Sequence, residues 1–246
     1  MEPLFNVNGL MFWNEREIRL RRQFEDHFAA EMQTILMAEN PAWRFIQFEG
    51  PQLTPMNLIN PNYTHDDVWV QKTGENGYLV LRPETTPSSY VYAQHLLRTH
   101  SGIKPPFVVW QRGKSFRREQ DQVTKNMRLK EFYQQEFQCI YTTETKNDYQ
   151  EAVLEPVKAM IGEMVRLPTR LVESDRLPSY SLRTMDVEVN NGDKWMELCS
   201  ISKRTDFPDK ARFETKKGIV EKDLEVLEIA VGLCRCVYNF EQTGDE

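Results

Sequence analysis

Phe116-Arg117-Arg118-Glu119 and Arg128-Leu129-Lys130-Glu131-Phe132 bracket a polar stretch and carry three kinds of side chain that together bind a nucleotide. A guanidinium offers a planar fork for a phosphate, a carboxylate accepts from an exocyclic amine, and a phenyl ring stacks on a purine. On neighbouring antiparallel strands, residues two or four apart face the same side, so Arg117 would project with Glu119, and Arg128 with Lys130 and Phe132. The set describes a site for ATP that uses no glycine-rich loop. Taken alone, charges and one Phe on a hairpin also describe an ordinary solvated surface.

The flanking segments supply the scaffold. Leu20, Phe24, Phe28, Met32 and Ile35 recur at spacings of three and four and predict an amphipathic helix from Asn14 to about Met37, followed by a strand over Trp43 to Phe48 that stops at Gly50 and Pro51. Tyr78 to Leu81 reads as a strand, and Thr86-Pro87-Ser88 opens a helix to about Arg98. Phe107 to Trp110 and Phe132 to Tyr141 form a hairpin around the polar loop. A second amphipathic helix spans about Asp148 to Met164. Strands follow at Leu171 to Val172, Leu182 to Val189 and Trp195 to Ile201, then a charged stretch from Lys203 to Lys222, then a strand and helix from Leu224 to Gln242.

The 246 residues are 40% hydrophobic, enough for a large core, and the net charge of -6 argues against a surface broadly adapted to polyanions. Cys139, Cys199, Cys234 and Cys236 read as reduced, buried thiols, and His27, His65, His95 and His100 have no metal-site spacing. No leader-like segment and no run of ~18 apolar residues is present, so a soluble, cytoplasmic protein without membrane contact is expected.

The pattern F-R-x-E, polar loop, R-x-x-x-F resembles motif 2 of the class II aminoacyl-tRNA synthetases. Leu81-Arg82-Pro83-Glu84-Thr85 is similar to the L-R-P-E-T loop of the glycyl branch, and Glu131-Phe132 with Glu136 resembles its E-F-x-x-x-E continuation. Asp186-Val187-Glu188, Trp195-Met196-Glu197-Leu198 and Arg204-Thr205-Asp206 follow the D-x-E, W-x-E and R-T-D order of that branch. Leu227 to Arg235 resembles motif 3, and Trp43 to Pro51 is a weaker match to motif 1.

The resemblance implies an α+β fold with an antiparallel sheet of six or seven strands flanked by helices, forming a single catalytic domain over residues 1–246 without a carboxy-terminal anticodon-binding domain, and a homodimer. It implies ATP and Mg2+ as cofactors and activation of a small amino acid, glycine first, as an aminoacyl-adenylate. Arg117 would hold the α-phosphate and the amino-acid carboxylate, Glu119 the adenine amine, Phe132 the ring, Arg128 the bent triphosphate and Arg235 the γ-phosphate, with Arg117 and Arg235 catalytic. Glu197 would coordinate magnesium. Glu84, Glu136, Glu228 and Ala230 would contact the amino acid. Where the family's motif 3 reads E-P-S, this chain reads Glu228-Ile229-Ala230, so a hydroxyl is missing and alanine, serine or another small amino compound stays open beside glycine. The acceptor is left open between a tRNA acceptor stem, a carrier-protein thiol, another nucleophile and none. The alternative is an inactive paralogue that serves as a dimeric regulatory subunit.

Overall fold

Asn14 sets the start of α1 (Glu15–Glu39) by a reciprocal capping box: its side chain accepts from the Glu17 amide at 2.9 Å, and the Glu17 carboxylate accepts from the Asn14 amide at 2.8 Å. Phe24, Phe28, Met32 and Leu36 form its buried stripe. The computed structural model describes residues 6–74, 77–99, 103–118, 127–174, 181–192 and 194–243.

Seven strands make the main sheet: β1 (Arg44–Gln47), β2 (Phe107–Phe116), β3 (Glu131–Thr142), β4 (Thr169–Glu173), β5 (Ser181–Asn190), β6 (Trp195–Arg204) and β7 (Leu224–Gly232). Their spatial order is β1-β2-β3-β7-β6-β5-β4. All neighbours are antiparallel except β1, which runs parallel to β2 at one edge. The α+β architecture expected from the sequence is therefore present.

Alternation gives the sheet two different faces. Val108, Phe137, Cys139, Ile229, Val231, Ile201 and Val187 point to one side and join α1, α3 (Tyr149–Val165) and α4 (Leu233–Gln242) in the main core. On the other side, α2 (Thr86–Thr99) covers Phe107, Val109, Ile140 and Val226. Beyond α2 the same face turns polar, and there the site lies. Among the described residues, no helix is long and apolar enough to cross a membrane.

Several elements differ from the sequence expectation in extent. β2 runs to Phe116 rather than Trp110, and β6 to Arg204 rather than Ile201. The charged stretch contains a hairpin, Ala211–Thr215 with Gly218–Lys222. A three-stranded sheet of Leu53–Pro55, Val70–Thr73 and Gly77–Leu81 leads directly into the loop before α2. The hairpin strands end at Phe116 and begin at Glu131, so Arg128 and Lys130 lie outside regular strand and the expected alternation does not govern them. The ladder continues one step through the Arg117 amide, which donates to the Lys130 carbonyl at 2.9 Å. Glu119 lies outside the described residues.

Candidate active site

Register assembles the site. Gln111, Glu136, Ala230, Ser200 and Asp186 stand side by side across β2, β3, β7, β6 and β5, and Gln138, Glu228, Ser202 and Thr184 form the next row. Above them opens a cavity of about 460 Å³ lined by Glu84, Arg117, Arg128, Phe132, Glu136, Glu197, Glu228, Ala230 and Arg235. Every described residue assigned to the site from sequence thus meets the others in one space.

One end of the cavity is acidic. Glu136 is 2% exposed, and its two oxygens accept from Thr85 Oγ1 at 2.6 Å and Thr86 Oγ1 at 2.9 Å. Glu228 accepts from Gln138 at 2.7 Å and from Arg204 at 2.6 Å. Arg204 is itself clamped by Asp206 through two nitrogens, at 3.0 and 2.7 Å. Burial, then the Glu228 charge, pushes Glu84 up to about 7 against the pull of Arg204. Burial and Glu228 likewise push Glu136 up to about 7, against hydrogen bonds from Thr85, Thr86 and Gln138. Three acidic side chains converging on one polar end of the cavity suit a compact cation.

The other end suits a polyanion. Arg117 sits with its guanidinium carbon 5.3 Å from the Phe132 ring centroid, and its Nε donates to the Pro83 carbonyl at 3.2 Å. Arg235 lies in the first turn of α4, so its charge adds to the positive end of that helix. Its Nη1 donates to the Glu197 carbonyl at 2.8 Å and lies 3.7 Å from the Glu197 carboxylate. Arg128 is exposed at the cavity wall.

Glu197 reaches the cavity because of a bulge. Val187 pairs with Cys199 but Glu188 pairs with Glu197, so Leu198 is an extra residue on β6. Strict alternation from Ser200 would aim Glu197 at the core. The bulge instead brings it to the face that carries Asp186, whose carboxyl is pushed up to about 6 by burial and by Glu197, against hydrogen bonds from Ser174 and Ser200. Two neighbouring oxygen-donor carboxylates, one exposed, have the hard-donor chemistry that would suit a Mg2+. Among the described residues, no group of three or more His, Cys, Asp or Glu could hold a metal by itself.

Asp186, Thr85, Thr86, Gln134, Gln138 and Arg204 belong to the site but were not assigned to it from sequence. The signal was present in β3, where Phe132, Gln134, Glu136 and Gln138 alternate with period two. Cys234 also lines the cavity, where its sulfur accepts from the Tyr133 amide, and burial pushes its thiol up to about 12. It is a packing residue, not a nucleophile.

A seven-stranded sheet of this order, with paired arginines and an acidic pocket on one face, defines a class II synthetase core. The family described as tRNA synthetases class II core domain (F) matches residues 12–201, and the chain belongs to it. A glycine-tRNA ligase of Mycoplasma capricolum subsp. capricolum is 30% identical over 158 residues, covering 62% of this chain and 34% of the relative. One from Cutibacterium acnes is 34% identical over 140 residues, covering 54% of this chain and 29% of the relative. The matches therefore span about a third of those ligases' length. The crystal structure of a Cryptosporidium parvum prolyl-tRNA synthetase, complexed with halofuginone and AMPPNP, superposes with a TM-score of 0.73 over 97% of this chain and 48% of that one, at 14% identity. That likeness is one of fold.

Proposed function

We propose that this chain activates a small amino acid, glycine first, by joining its carboxylate to the α-phosphate of ATP with release of pyrophosphate. The observation that carries this reading is the meeting, in one cavity, of an acidic pocket for an ammonium with two arginines and a helix N-terminus for phosphates. The pocket of Glu84, Glu136 and Glu228 takes the ammonium and thereby aims the carboxylate toward Arg117. Arg117 receives the charge that develops on the α-phosphate, and Arg235 the far phosphate. Phe132 offers its ring to adenine. Glu197, with Asp186, would hold a Mg2+, whose charge would neutralise phosphate. No general base is needed, since the attacking carboxylate is already ionised. Catalysis comes from alignment and charge.

The glycine-tRNA ligase relatives support tRNA as the acceptor of the activated amino acid, and α1 with β1 is proposed to form a twofold interface between copies. Amino-acid-dependent exchange of pyrophosphate into ATP tests the adenylation. Glycine-dependent exchange supports it, and no exchange with any amino acid would leave the chain a non-catalytic member of the family.

A further inference from the structure

Arg82 is among the largest fully buried side chains in the molecule, yet it does not line the cavity. Its Nε donates to the Lys114 carbonyl at 2.9 Å, and its Nη1 to the Gly50 carbonyl at 3.1 Å and to Gln111 Oε1 at 3.0 Å. The remaining nitrogen, Nη2, fills the space at Gly113, where a Cβ would lie 2.4 Å from it. The guanidinium is the end of a flexible side chain, but moving it stretches these hydrogen bonds.

Gln111 extends the same lock. Its Nε2 donates to the Thr85 carbonyl at 3.0 Å and to Ser88 and Ser89 at 2.8 and 2.9 Å. The backbone of Arg82 is held as well: its amide donates to the Gln52 carbonyl, and its carbonyl accepts from the Phe116 amide, both at 2.9 Å. Between these two anchors lie Pro83, Glu84 and Thr85, and Thr86 follows at the start of α2. That short segment carries Glu84 and the two hydroxyls that reach Glu136.

We propose that Arg82, seated in the notch at Gly113, is a positioning residue of the acidic pocket: it fixes the 83–86 segment and so sets affinity for the amino acid rather than for ATP. The proposal rests on the adenylation reading above. It also explains why β2 carries a glycine and a buried glutamine in mid-strand, positions where neither favours strand formation.

The test uses the full chain and two substitutions. Gly113→Ala pushes one methyl against the guanidinium and shifts it by roughly 1 Å, so KM for glycine in pyrophosphate exchange should rise about tenfold while KM for ATP stays within about twofold. Hydrogen exchange in the same variant should quicken over residues 82–90 and not across the rest of the sheet. Arg82→Lys alone should give the same selective pattern, which keeps the test decisive if Gly113→Ala does not fold. Adding Gly113→Ala to Arg82→Lys should then change KM little, because the shortened side chain no longer meets the methyl. Additive effects, an equal rise in KM for ATP, or a uniform loss of protection over the sheet would overturn the proposal. If the unsubstituted chain exchanges with no amino acid, the adenylation reading fails, and the hydrogen-exchange comparison alone decides whether Arg82 holds the segment.

Discussion

The Thr86 hydroxyl lies 2.9 Å from an oxygen of Glu136 and 2.9 Å from an oxygen of Glu228. A hydroxyl has one proton to give, so it satisfies one carboxylate; the other contact is favourable only when that carboxyl is itself protonated and donates. With Glu84 and Glu136 both pushed up to about 7, protonation of this pair competes with a substrate ammonium near neutral pH. Burial works against the Arg204 charge, but Glu228 and Asp206 raise its pKa and keep it ionised across this window. KM for the amino acid should therefore rise as pH falls below about 7, approaching tenfold per pH unit for one displaced proton, while KM for ATP changes less. Glu136→Gln should flatten the profile. A KM for glycine that is level from about pH 8 to about pH 6 would contradict this competition.

The same groups make a stability prediction of definite sign. Glu84 and Glu136 bind their protons more tightly in the folded chain, about 7 against the ordinary 4.5. Their contribution to stability is full below the unfolded value and is lost as pH rises through the folded one. Asp186, at about 6, works in the same direction. In thermal unfolding without ligand, the Tm of the unsubstituted chain relative to Glu136→Gln should fall between about pH 5 and about pH 7.5. A difference that grows with pH would reverse the assignment.

How much of this could be read from residue order depends on what each face of the sheet meets. The α1 helix was legible because its stripe and its Asn14 cap are local features. The hairpin was legible too, but β2 was expected to end at Trp110. Gln111, Arg112, Gly113, Lys114 and Ser115 interrupt the apolar run because three of them, Gln111, Gly113 and Ser115, lie on the face that meets Arg82, not because the strand stops. The Glu197 direction depends on an extra residue in β6 that no periodicity announces. The Arg204 contact with Glu228 and the Thr86 contact with Glu136 join residues 24 and 50 positions apart and follow from topology alone.

Arg117→Ala should reduce adenylate formation by about a hundredfold or more, since removing one donor to a developing oxyanion commonly costs that much. The fold should survive, because Arg117 lies past the end of β2 and only partly buried. Exchange kinetics with circular dichroism as the control decide it. Undiminished exchange would remove Arg117 from the chemistry.

Glu197→Gln should raise the Mg2+ concentration needed for half-maximal exchange, and Asp186→Asn should do so less, since Asp186 is the more buried and already hydrogen-bonded to Ser174 and Ser200. Arg235 also loses a carboxylate partner in Glu197→Gln but keeps the backbone carbonyl at 2.8 Å. Titration of exchange rate against Mg2+ at fixed ATP separates the two variants. An unchanged Mg2+ requirement in both would assign the metal elsewhere.

The most direct measurement is a screen of amino-acid-dependent ATP and pyrophosphate exchange over all the common amino acids. In the proposed reading the acidic pocket takes the ammonium, and Ala230 contributes a methyl to the cavity wall where a hydroxyl would add polarity. Since one methylene discriminates by only ~1 to 3 kcal/mol, glycine should be activated best, with alanine measurably behind it and larger side chains near background. Preferred activation of valine or an aromatic amino acid, or exchange with none at all, would contradict the account.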